Sequence, residues 1–181
     1  NRNTAVGADA LRFNTSGYRH TAVGNDSLRT NTTGEENTAV GYNALYSNTS
    51  GVRNTAIGNR VLEDCTTGYD NTAVGYLALA NATTGNGNIA VGRGSLDAAT
   101  TGYNNTGNGY RSLTDVTTGA RNVGIGYEAG ENITTSNNNT MIGTYAGNTT
   151  TTGANNTCIG YNAEASSATV SNEITLGDAN V

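Results

Sequence analysis

Asn37-Thr38-Ala39-Val40-Gly41-Tyr42-Asn43-Ala44-Leu45-Tyr46-Ser47-Asn48-Thr49-Ser50-Gly51-Val52-Arg53 is one unit of a pattern that restarts at Asn54-Thr55-Ala56-Ile57-Gly58. Its first Gly recurs at 7, 24, 41, 58, 75, 92, 109, 126, 143, 160 and 177, a spacing of 17 residues without insertion or deletion. Val, Ile or Leu precedes that Gly in every unit except at Asn108, and Thr stands two places earlier in most. Leu follows four residues after the Gly from Leu11 to Leu113, then gives way to Gly130, Gly147 and Glu164. A Thr-Thr-Gly step closes many units, as at 32–34, 66–68 and 117–119.

A helical repeat needs Ala, Leu and charged residues at 3.6 spacing and does not carry two fixed Gly per unit. Short β-branched runs separated by Gly turns instead predict strands. No unit of this length can bury a core alone, so the units must stack. The prediction is an all-β parallel β-solenoid, or β-roll, with one coil per 17 residues over 1–177. Residues 178–181 would begin a following segment of a longer fibre. Identical residues then lie about 4.8 Å apart in ladders, and the rod is on the order of 50 Å long.

Period two puts Thr38 and Val40 on one face of the strand and Ala39 and Gly41 on the other. If Val and Leu point inward, each layer buries two sizeable side chains and leaves a smooth Ala/Gly face for a partner. If Val and Ile point outward, they form an apolar stripe that needs covering. Both arrangements favour an oligomer, most simply a trimer about a shared axis. With Val inward, Val40→Asp and Leu45→Asp are expected to disrupt assembly far more than Tyr42→Ala.

Composition narrows the function. The chain has 25 Gly, no Pro, no Trp, nine basic residues that are all Arg, and a net charge of -5. That balance argues against a nucleic-acid surface, and no apolar run is long enough for a spanning helix. Thr, Val and Ile are too plentiful for ordinary disorder. His20, the single His, sits in a column otherwise held by Asn and reads as a ladder substitution rather than a catalytic base. Acids are scattered, and the Gly-Gly-x-Gly-x-Asp repeat of calcium solenoids is absent. No enzyme activity, cofactor or metal is expected. Cys65 and Cys158 lie 93 residues apart, about 26 Å along the stack, too far for an intrachain disulfide. Each should be a free thiol.

Tyr42, Tyr76, Tyr110, Tyr127 and Tyr161 follow the Gly at one corner, and Tyr18, Tyr69 and Tyr103 follow the other. Corner side chains point outward. The first five are the candidate surface or glycan contacts, against the plainer role of covering neighbouring backbone and subunit seams.

The Asn-Thr-Ala-Val-Gly motif at 37–41 and 71–75 resembles the N-S-V-A-I-G head repeat of trimeric autotransporter adhesins. It resembles more closely the N-T-A-V-G-Y-x-A-L arrays of tail fibres and related surface proteins of phages and bacteria. There the arrays often precede an intramolecular chaperone domain, and Ser171–Gly177 is similar to that junction. The resemblance implies a left-handed trimeric β-roll, extracellular on a virion tail fibre or bacterial cell surface. It also implies a structural and adhesive role, with a host glycan or protein receptor as partner. The alternative is an ice-binding solenoid. Against that stands the T-x-V strand with adjacent Thr-Thr at a turn, which splits the hydroxyls between faces.

Overall fold

The T-A-V of each unit forms one strand of three residues, starting with β1 (Thr4–Val6), β2 (Thr21–Val23), β3 (Thr38–Val40) and β4 (Thr55–Ile57). Seven more follow at the same interval: β5 (Thr72–Val74), β6 (Ile89–Val91), β7 (Thr106–Asn108), β8 (Val123–Ile125), β9 (Thr140–Ile142), β10 (Thr157–Ile159) and β11 (Ile174–Leu176). The computed structural model describes residues 2–178. Its strands form one parallel 11-stranded sheet in chain order. Thr38 pairs with Thr55 and Val40 with Ile57, so every partner lies one repeat away. This is a β-solenoid with one coil per repeat. The rest of each coil is turns.

The turns are laddered as fully as the strands. Gly41 N–H donates to Val23 O (2.8 Å), Leu45 N–H to Val61 O (3.0 Å) and Thr49 N–H to Thr66 O (2.9 Å). The Thr49 hydroxyl donates to the same Thr66 carbonyl, a bond repeated by Thr32, Thr66, Thr83, Thr100 and others. Gly41 adopts φ 136°, and a Cβ there would overlap the Gly58 carbonyl oxygen of the next coil. The first Gly column is therefore set by the closeness of adjacent layers as well as by φ.

The interior is narrow. Leu28, Leu45, Leu62, Leu79, Leu96 and Leu113 are fully buried, opposite buried Ala22, Ala39, Ala56, Ala73 and Ala90 of the strands. The strand's inward residue is thus Ala. Val40 is half-buried, and Ile57, Val91, Ile125 and Ile159 are exposed. This corrects the inward placement of Val and, with it, the ranking of Val40→Asp beside Leu45→Asp. The physical reason is space: Leu from the opposite wall, flanked by buried Asn, leaves room only for a methyl group. Thr and Val/Ile therefore make an outward stripe along the whole sheet, the second of the two arrangements the sequence allowed.

The Leu column has a cost. Leu45 has φ 52° and its equivalents similar values, a left-handed conformation worth roughly 1–2 kcal/mol of strain in a non-Gly residue. Complete burial of Leu returns about 1.5–3 kcal/mol, so the column is sustained by the core it fills.

Candidate functional site

Buried Asn side chains define the corner before each strand. Asn71 N–H and Nδ2 both donate to Asn54 Oδ1 (3.1 Å each), and Nδ2 also donates to Gly85 O (2.9 Å). Asn88, Asn105, Asn122 and Asn139 repeat this pattern. His20 takes the same place. Its Nε2 lies 2.8 Å from Gly34 O, its Nδ1 faces the Asn37 N–H at 3.3 Å, and its own N–H donates to Asn3 Oδ1. A carbonyl only accepts and an N–H only donates, which assigns the neutral tautomer with its proton on Nε2. Burial pushes the His20 pKa below its ordinary value, against the opposing bond to Gly34. The ring mimics an Asn amide, and a ladder substitution is what the structure shows.

The thiols are interior as well. Cys65 and Cys158 are free and buried, and burial pushes Cys65 up to about 11. Cys158 occupies the inward Ala position of its strand, so it faces the coil's own core rather than a partner.

Outside, the corner after the first Gly column carries the predicted tyrosines. Tyr42, Tyr76, Tyr127 and Tyr161 are exposed, and Tyr110 is half-buried. The Tyr110 and Tyr127 rings stack at 5.0 Å, and Tyr145 bridges Tyr127 to Tyr161 by edge contacts at 5.4 and 6.3 Å. Arg93 continues the row: its guanidinium lies 5.7 Å from the Tyr76 ring and 5.6 Å from the Tyr110 ring. Four of the five candidates thus join one ladder, Tyr76–Arg93–Tyr110–Tyr127–Tyr145–Tyr161. Tyr42 stands apart, because Asn59 occupies the intervening coil. A hydrogen bond to Glu128, with a smaller contribution from burial, pushes Tyr127 up to about 12.

Beside Arg93 the wall is notched. The position after the corner residue holds Arg60, Arg111 or Glu128 in other coils but Gly94 here, and Leu77 one layer before. The resulting cavity of about 290 Å³ is lined by Leu77, Arg93, Gly94, Asp97, Tyr110, Arg111 and Thr114. Arg111 is held by Glu131 at 2.6 Å. Arg93 has no carboxylate within ion-pair distance among the described residues, its recorded neighbours being the two rings. Asp97 accepts a hydrogen bond from Asn81 Nδ2 (3.1 Å), and burial lifts its carboxyl above the usual range. Sequence reasoning singled out Tyr76 and Tyr110 but missed Arg93, Gly94 and Tyr145. For Arg93 the available signal was positional, a lone Arg in a column mostly of Tyr and Asn; Gly94 and Tyr145 lie in a column without a fixed residue type.

Among the described residues no three His, Cys, Asp or Glu gather closely enough to hold a metal ion. Arg19–Glu36 and Arg53–Asp70 pair between neighbouring coils on the opposite corner. Exposed pairs of this kind contribute little to stability because water and salt screen them. The chain matches no family model, no curated protein and no solved structure, which leaves the chemistry of these residues as the basis for a function.

Proposed function

We propose that this chain is a structural and adhesive fibre segment, assembled as a homotrimer on a virion or bacterial surface. The uncovered Thr/Val-Ile stripe carries the reading. It runs along the eleven-stranded sheet, with Asn108 the polar break in its Val/Ile row, about 50 Å by the layer spacing. With the corner that precedes each strand, roughly five residues wide, it offers on the order of 800 Å², the size of one side of a stable interface. A second copy of the same chain shares its coil twist and row spacing at every layer, which an unrelated surface does not. Cyclic closure of three copies then covers the stripe from within. The N-T-A-V-G-Y-x-A-L resemblance supports both the trimer and the surface location.

One observation favours the ice-binding alternative. Among the described residues the strand hydroxyls of Thr21, Thr38, Thr55 and Thr72 make no hydrogen bond, and they stand in one row beside the methyl row. Ile89, Val123 and Ile174 interrupt that row, so the subunit seam is preferred.

Light scattering on the purified chain should return three chain masses. Paired Ile57→Arg and Ile125→Arg substitutions should reduce this to one, with an unchanged circular dichroism spectrum. A wild-type chain that is monomeric and unfolds cooperatively defeats the trimer. Measurable thermal hysteresis by that monomer assigns the stripe to ice instead.

A further inference from the structure

We propose that the notch formed by Leu77, Arg93, Gly94, Asp97 and Thr114 binds a single neutral hexopyranose ring. This deepens the adhesive reading by naming a ligand class, and it rests on that reading only for its biological sense. Two independent observations point to the notch.

The first is its shape and charge. At about 290 Å³ it lies at the small end of ligand cavities, room for one ring and not a chain. Arg93 is gripped between Tyr76 and Tyr110, which fixes its plane and leaves its N–H edges as a rigid donor fork. Asp97 supplies acceptor oxygens on the same wall. Adjacent sugar hydroxyls both accept and donate, so one ring satisfies the guanidinium and the carboxylate together. Arg111, also on the lining, is paired with Glu131, so an anionic ring gains at Arg93 but is repelled by Asp97, and a cationic one meets the reverse. Both faces of Tyr110 are occupied, by Arg93 and by Tyr127. The apolar C–H face of the sugar therefore rests on Leu77 and the Gly94 backbone.

The second is an aliphatic side chain in a column of polar and glycine residues. Leu77 has φ 56°, as unfavourable as the core leucines, yet it is only half-buried. No packed core balances its conformation. Equivalent positions hold Asp9, Asp26, Asn43, Arg60, Gly94, Arg111, Glu128, Tyr145 and Asn162, all with positive φ, so the left-handed turn belongs to the column and Leu77 is its one aliphatic occupant. A lone, half-buried aliphatic side chain at the floor of a cavity offers an apolar contact to a ligand. The Gly94 vacancy opens the space directly above it.

The test uses the native assembly, with methyl α-D-glucopyranoside and methyl α-D-galactopyranoside as neutral probes and glucuronate as the anionic one. Binding is read by saturation-transfer NMR and titration. At least one neutral glycoside should bind, and glucuronate should bind more weakly. Gly94→Asn, which keeps φ positive and fills the notch, should lower affinity tenfold or more. Leu77→Asn should lower binding similarly while raising the melting temperature by about 2–4 °C, a pairing that a purely structural role does not produce. Arg121→Ala, on the opposite corner, should bind as wild type. No binding of either glycoside, preference for glucuronate, or undiminished binding by Gly94→Asn or Leu77→Asn each overturns the assignment. The chain mass is measured on the same samples, so loss of the trimer and loss of sugar binding are read separately.

Discussion

His20 and Met141 show how single residues adapt to a fixed column. Because burial lowers the His20 pKa, the unfolded chain takes up its proton first on acidification. Stability should therefore be full above the ordinary value of 6.5, fall as the pH drops below it, and level off once the folded imidazole also titrates. His20→Asn restores the amide, and the difference between the two melting curves should be constant above neutral pH and grow as the pH falls below 6.5. A constant difference at every pH rejects the neutral buried ring. Met141 replaces the strand Ala where Gly147 replaces Leu, and a Cβ on Gly147 would overlap the Met141 sulfur. Met141→Ala should cost about 2–5 kcal/mol through the cavity it leaves. Gly147→Leu placed in that background should recover part of the loss. Chemical denaturation of both singles and the double measures the coupling, and strict additivity removes the compensation argument.

At the scale of the element, the strand's two faces now have an order. Ala39→Asp puts an unpaired charge in the core and should prevent folding, whereas Val40→Asp leaves the coil intact and acts on assembly alone. Circular dichroism of the two variants gives the comparison, and equal spectra for both contradict the inward Ala. The repeat, its register and the Gly corners were all legible in the sequence, since a spacing without slips leaves one stacking register. The facing of Val40 was not, because period two defines two faces without saying which is inside. That answer needed the volume of the opposite Leu and the two buried Asn flanking it. The tyrosine row was partly legible. Column arithmetic found Tyr76, Tyr110, Tyr127 and Tyr161, but it counted Tyr42, which has no ring neighbour. It passed over Tyr145, displaced by one residue from the column, and Arg93, whose role appears only once its guanidinium is seen between rings.

For the whole molecule, the pairing of every strand with the next means that each coil contacts only its neighbours. Stability is then a sum of layer terms, and in the proposed trimer the stripe ties the layers to a common partner. Ile57→Arg should accordingly weaken the trimer while shifting the unfolding of a dissociated chain by under about 1 kcal/mol. A large loss of single-chain stability means that Ile57 contributes to the coil itself.

Nearest-neighbour stacking also sets how the rod answers a pull along its axis. A coil occupies about 4.8 Å of height while its 17 residues, drawn straight, reach about 58 Å. Each coil peeled from an end lengthens the tether roughly twelvefold locally while the remaining coils keep their ladders. Under tension the molecule therefore yields in equal steps from its ends instead of breaking in the middle, dissipating work at every step.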